Sequence, residues 1–323
     1  MTVETHSASL HLVDPELRAA LDAFPTFDLN EDLLPVMRAQ GFGVDVPPPQ
    51  GPAAGVAVER ITVPGRDGEP DVSCLLYTPP GRTGQSGAYL HIHGGGYVLG
   101  DAAMSELSNR SLAAAIGCIL LSVDYRLAPE TRWPGAVEDC YAALGWLHAN
   151  ANRLGVDHQR IAIGGESAGG GHAASLALVA RDRGEYRIRH QHLIYPMIDD
   201  RTGSTVPALP YAGDFVWTAA SNAFGWSALL GHPAGTGEPP RNAVPARVED
   251  LSGLPPTFLG TAALDLFVGE NLDYGRRLIA AGVPTELVVA PGAYHGFNGF
   301  APDAAVSRGF NSASLEALRR AIG

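Results

Sequence analysis

An α/β fold, with helices on both faces of a mostly parallel sheet of about eight strands, is what this chain of 323 residues predicts. Three observations carry that expectation. Short, near-continuous apolar runs recur along the chain, and helical patterns separate them. The composition, 46% hydrophobic against 17% charged, is ample for a sheet buried on both faces. A chain of this length could hold two domains, but α/β folds of this size commonly form one.

Residues 1–50 stand apart from the alternation. Pro15 to Phe24 and Glu31 to Gln40 read as short amphipathic helices, the first with Asp14 as its cap and Pro15 at its first position. Val46-Pro-Pro-Pro-Gln-Gly-Pro52 then breaks regular structure. The segment is too short to build its own core, so it reads as a set of lid helices. The remainder, 51–323, is expected to form the main domain. Its first strands, Val56–Val63 and Val72–Tyr77, look antiparallel across a polar turn at Gly65, Asp67 and Gly68.

Strands are then expected at Ala88–Ile92, Ile116–Val123, Arg160–Gly164, His190–Tyr195, Thr257–Thr261 and Thr285–Val289. Helices fall near 104–115, 135–153, 168–183, 270–281 and 311–322. Residues 200–247 interrupt this order. They are rich in Pro and Gly and carry Tyr211, Phe215, Trp217, Phe224 and Trp226. An insertion so long is functional or helical in its own right, and it makes a natural second half of the lid.

The formal charge is −12, which disfavours nucleic acid and anionic membranes as partners. No window approaches 18 uninterrupted apolar residues, and the start of the chain lacks a cationic region followed by an apolar one. Cys74, Cys118 and Cys140 are odd in number and widely spaced, as expected of reduced thiols in a cytoplasmic protein.

The chemistry concentrates in two stretches. Gly165-Glu166-Ser167-Ala168-Gly169 lies between an apolar strand and an alanine-rich helix, so Ser167 would occupy a sharp turn whose neighbours must be small. His93-Gly-Gly-Gly96 follows an earlier strand and could aim backbone N–H groups at a developing oxyanion. Together they predict hydrolysis by a nucleophilic serine. A serine needs a histidine to take its proton and an acid to orient that histidine; in α/β-hydrolases, which the two stretches resemble, these follow in the chain order Ser, acid, His. Of eleven histidines, His295 alone lies beyond the seventh strand, in Ala293-Tyr-His-Gly-Phe297. Asp265 is the first carboxylate after that strand, whereas Glu270 and Asp273 fall further on, in the helix. Oxyanion donors would be the N–H groups of Ala168, Gly95 and Gly96, glycine being needed so that no side chain blocks the carbonyl.

The pairs His91/His93 and His190/His192 each lie two apart on a strand and so are expected to share a face, but no third residue completes a metal-binding spacing. His172 reads as a core or pocket-wall residue.

These residues, with Asp124-Tyr-Arg-Leu-Ala-Pro-Glu130 and Tyr195-Pro-Met-Ile-Asp-Asp200, resemble the hormone-sensitive-lipase-like family of microbial esterases from about residue 60 onward. The resemblance implies an α/β-hydrolase core of eight strands with a helical cap from residues 1–50 and 200–247. It implies Ser167, Asp265 and His295 as a triad, an oxyanion hole of Gly95, Gly96 and Ala168, and no cofactor. A short-chain acyl ester is the implied substrate, cleaved through an acyl-enzyme, and homodimers are common in the family. The chain departs from the family in Glu166, where many relatives carry Asp or Thr, and in Leu266-Phe-Val-Gly-Glu270 after the acid. Other readings are a deacetylase or amidase acting on a small metabolite, and a non-catalytic ligand receptor. The plant gibberellin receptors resemble this family but lack the histidine that His295 supplies here.

Overall fold

The computed structural model describes residues 8–23, 26–40 and 48–323. The segment Met1 to His6, the Phe24 end of the first expected helix and the start of the proline-rich break at Val46 lie outside the described residues. Among those residues the chain forms strands β1 (Ala57–Val63), β2 (Val72–Thr78), β3 (Ser86–Ile92), β4 (Ile119–Asp124), β5 (Val156–Glu166), β6 (His190–Ile194), β7 (Thr257–Ala262) and β8 (Thr285–Ala290). Its helices are α1 (Arg18–Ala23), α2 (Leu33–Gln40), α3 (Glu106–Ile116), α4 (Gly135–Leu154), α5 (Ala168–Arg183), α6 (Ala219–Leu230), α7 (Val268–Ala280), α8 (Phe297–Phe300) and α9 (Ala305–Ile322).

The strands make one sheet in the order β1-β2-β4-β3-β5-β6-β7-β8. β2 runs antiparallel to both β1 and β4, and every later pairing is parallel. Strand alternation divides the core between the two faces. Leu90, Leu121 and Ile163 join the cluster under α4 and α5, while Tyr89, Leu120 and Ala162 join the one containing Ala113 of α3 and Leu318 of α9.

Several boundaries differ from expectation, the start of α9 by six residues (Ala305 against 311), and two of the differences have a visible cause. Ile116 closes α3 instead of opening a strand, because Gly117 adopts φ 76° and its N–H caps Ala113 O. β5 starts at Val156, ahead of Arg160, since Ser86 pairs with Val156 across a bulge of β5, five steps from Val156 to Ile161 facing two from Ser86 to Ala88. Asp157, His158 and Gln159 hid that extension because they carry no apolar pattern.

The N-terminal segment docks on the loop after β8 and on the insertion. Asp14 caps the short turn opened by Pro15, bonding the Glu16 N–H at 2.9 Å. Asp14 N–H also donates to Gly292 O at 2.9 Å, and Tyr294 Oη donates to Leu17 O at 3.0 Å. The insertion is helical where it meets this segment: the Leu29 N–H donates to Ser221 Oγ at 2.9 Å, and Thr218 Oγ1 to Asp28 Oδ1 at 2.7 Å. Leu29, Leu34, Trp217, Trp226 and Leu229 share one apolar cluster with Tyr97, Ala168 and Met197 of the main domain. Among the described residues no helix is long and apolar enough to cross a membrane.

Four buried histidines determine how this core meets acid. Burial lowers His93 to about 4 and, with His93 nearby, His172 to about 3. Burial and Arg189 lower His190 to about 4, and His192 lies well below the usual range for the same first cause. In the unfolded chain these rings protonate near pH ~6.5. Between there and about pH 4 the unfolded state binds more protons, so stability is present above the window and lost as pH falls through it. Each ring contributes a slope of up to about 1.4 kcal/mol per pH unit. Glu270 and Asp200, raised by burial, act with the opposite sign, while His148, lowered by burial, adds to the four rings. The urea midpoint is expected to fall steeply from pH 7 to 4.5; a flat profile would show that the folded state tolerates charged rings.

Candidate active site

Ser167 sits between the last residue of β5 and the first of α5 with φ 56° and ψ −123°, a conformation that a non-glycine residue adopts only when its surroundings enforce it. The enforcement is visible. A Cβ on Gly165 or on Gly169 would collide with Ile92 O, so strand and helix approach β3 through their backbones. The Ser167 N–H donates to Ile194 O at 2.9 Å, and Ser167 O accepts from Gly171 and Met197 N–H, each at 3.0 Å.

Asp265 follows β7, and His295 lies in the loop between β8 and α8. His295 Nδ1 is 2.7 Å from Asp265 Oδ2, and His295 Nε2 is 2.9 Å from Ser167 Oγ. A carboxylate only accepts, so Nδ1 carries the proton and Nε2 is left to accept from the serine hydroxyl. The other Asp265 oxygen accepts the Phe267 N–H at 3.0 Å, which fixes the carboxylate plane. Asp265 is fully buried, and Ser167 and His295 are each 7% exposed. Tyr195 and Phe267 present ring edges to the imidazole at 4.8 and 5.3 Å between centroids. Glu270 and Asp273 are engaged elsewhere: the first accepts from Ile198 N–H at 2.7 Å, and the second pairs with Arg276 at 2.8 Å.

The glycine loop after β3 lies beside this trio, so that a Cβ added to Gly94 would come within 3.4 Å of Ser167 Cβ. Gly95 and Gly96 have φ 120° and 60°. Their N–H groups make no hydrogen bond to another backbone group among the described residues. The Ala168 N–H belongs to the first turn of α5, where helical donors have no intrahelical partner. Packing adds a reason for glycine beyond an open approach: a Cβ on Gly95 would strike Leu99 O, and one on Gly96 would overlap the benzo edge of Trp217.

This arrangement has relatives. Residues 89–299 match a family described as having the alpha/beta hydrolase fold. The chain belongs to that family. As an α/β-hydrolase it is 35% identical over 319 residues to the carboxylesterase NlhH of Mycobacterium tuberculosis, covering 96% of each chain. It is 33% identical over 309 residues to the esterase LipI of the same organism, covering 95% of this chain and 94% of the relative. Among solved structures, a bacterial heroin esterase superposes with a TM-score of 0.86 at 37% identity, covering 97% of this chain and 99% of that one.

Several residues that brace this α/β-hydrolase site carry no sequence signal of that role. Met197 joins the Ser167 turn to the glycine loop, its N–H donating to Ser167 O and its carbonyl accepting Tyr97 Oη at 2.6 Å. Asn271 and Glu270 hold the residues on either side of Met197, through Pro196 O at 2.8 Å and Ile198 N–H. Arg38 of α2 reaches the far end of the glycine loop. Its guanidinium donates to Val98 O at 2.8 Å and Ala128 O at 2.7 Å, and it pairs with Glu130 at 2.7 Å. Gly225 of α6 packs on Gly96 O so closely that a Cβ there would overlap it. Part of this was within reach, because Met197, Ala128 and Glu130 lie in the two motifs set out above.

The histidine pairs behave differently from each other. His91 bonds Ser122 Oγ at 2.9 Å and Glu166 Oε2 at 3.0 Å, so the residue preceding the serine is held from behind. His93 does not share that environment. β3 ends at Ile92, and His93 turns into the glycine loop, where it stacks on Tyr125 at 4.2 Å. His190 and His192 do share a face, 5.7 Å apart. His172 is buried behind the loop, against Tyr97 and Tyr125. Among the described residues no cluster of three or more His, Cys, Asp or Glu side chains could hold a metal ion.

Proposed function

We propose that this α/β-hydrolase is a carboxylesterase that cleaves short-chain acyl esters through an acyl-enzyme formed on Ser167. The observation that carries the reading is the continuous chain from Asp265 Oδ2 through both nitrogens of His295 to Ser167 Oγ, with links of 2.7 and 2.9 Å. Relatives named carboxylesterase and esterase, each covering nearly the whole chain, point the same way.

In this mechanism Ser167 Oγ attacks the ester carbonyl while Nε2 of His295 takes its proton. Asp265 holds the Nδ1–H tautomer and stabilises the imidazolium that forms. The N–H groups of Gly95, Gly96 and Ala168 receive the oxyanion, each donor being worth about 10²–10³ in rate. His295 then protonates the departing alcohol and later activates water against the acyl-enzyme. Residues 1–50 and 200–247 serve as a cap, supported by the apolar cluster that they share over Ala168 and Met197. The buried free thiols of Cys74, Cys118 and Cys140 suit a cytoplasmic setting.

Initial rates on p-nitrophenyl esters from acetate to palmitate test the reading. Turnover is expected to be greatest for the shortest chains and to fall steeply beyond them. A folded protein inert on every member of the series would favour a ligand receptor built on the same scaffold.

A further inference from the structure

Trp217 stands where the hydrolytic steps require no tryptophan. The benzo edge of its indole, through Cη2, Cζ2 and Cζ3, occupies the face of Gly96 that a Cβ would fill. The backbone that delivers it is strained: Val216, a β-branched residue, has φ 62°. The Trp217 N–H closes a three-residue turn onto Phe215 O at 2.7 Å. Thr218 then caps α6 through Ser221 N–H at 3.1 Å and bonds Asp28 of the N-terminal segment. On the other side of the turn, Thr26 and Ser9 both bond Asp214. The ring is 7% exposed, and its Nε1 makes one long contact of 3.5 Å with Asn222 Oδ1. A strained turn braced from both sides thus holds a large flat side chain against an oxyanion-loop glycine.

We propose that Trp217 determines substrate specificity by forming the end wall of the acyl pocket. The inference rests on the acyl-enzyme reading above. In the tetrahedral intermediate two corners of the former carbonyl carbon are taken by Ser167 Oγ and by the oxyanion facing the Gly95–Gly96 loop. The leaving oxygen must lie near His295 Nε2 to receive its proton, on the side walled by Tyr195 and Phe267. The acyl carbon takes the remaining corner, away from His295 and alongside Gly96. Trp217 closes that direction at contact distance, which leaves room for a short acyl group and none for a long one. α6 is itself seated on the loop, with Gly225 against Gly96 O, so the helix that follows the wall leaves no gap between wall and loop.

The test compares the wild type with Trp217→Ala and Trp217→Phe in kcat/KM for p-nitrophenyl acetate, butyrate and octanoate. A parallel series varies the alcohol at constant acetyl. Trp217→Ala is expected to raise the octanoate-to-acetate ratio at least tenfold, with Trp217→Phe intermediate and the alcohol series unmoved. An unchanged acyl ratio, or a shift confined to the alcohol series, would overturn the assignment. Melting curves for each variant separate an altered pocket from a loosened fold, and Trp217→Phe keeps the test open if the alanine variant does not fold. Failure of the underlying reading looks different, since the wild type itself would then turn over no ester.

Discussion

Alanine in place of Ser167 leaves a folded chain whose ester hydrolysis has dropped by about 10⁴–10⁶-fold. The substitution deletes one oxygen, the one 2.9 Å from His295 Nε2, and with it the partner of that nitrogen. The turn itself is enforced by the glycines at 165 and 169 against Ile92 O and by bonds to the Ser167 backbone, none of which uses the hydroxyl. Stability should therefore change by no more than about 1 kcal/mol. Because the three side chains act as a unit, adding His295→Ala to the Ser167→Ala chain should cost little further activity. Steady-state rates on p-nitrophenyl acetate beside urea unfolding curves measure both. A rate within tenfold of wild type in the single variant would mean that another group attacks the ester.

The second large effect comes from a residue that touches no substrate. Gly225 lies inside α6, where helix propensity alone says that Gly225→Ala should stabilise the protein by about 0.5–1 kcal/mol. Packing says the opposite. The new methyl would overlap Gly96 O and come within 3.4 Å of Met197 Cε, so either α6 backs away or the glycine loop deflects. Overpacking of this kind costs about 1–3 kcal/mol. Deflection also misaligns the N–H groups assigned to the oxyanion, for which the loss of a single donor is worth about 10²–10³. The variant is expected to show a kcat lowered about 100-fold and a lowered urea midpoint. Unchanged kcat with a raised midpoint would show that the contact yields freely.

The contrast at Gly225 also explains what could be read from the sequence and what could not. Gly165, Ser167 and Gly169 were legible because the demand for small neighbours arises within five residues of chain. The strands were legible because burial on both faces leaves an apolar run, as at Leu120–Leu121 and Ile161–Ile163. His295 and Asp265 were found by their order relative to those strands, and the structure brings both to Ser167. Arg38, Met197, Gly225 and Trp217 are different. What each does depends on a partner between 30 and 130 residues away in the chain, so composition and spacing around them say only helix, loop or aromatic. Val156 was missed for a related reason, since its strand partner Ser86 lies across an irregularity that leaves no period-two pattern.

Arg38 has a consequence that reaches beyond its own bonds. One guanidinium holds the carbonyls of Val98 and Ala128 and the carboxylate of Glu130, so α2 and the glycine loop form a single mechanical part. A hinged door can be loosened without disturbing the room behind it, but here the doorpost is also a roof beam. With α2 in the proposed cap and the glycine loop as the proposed oxyanion hole, changes in α2 that ease the entry of substrate are expected also to slacken the loop that steadies the charge, so that the two properties evolve together.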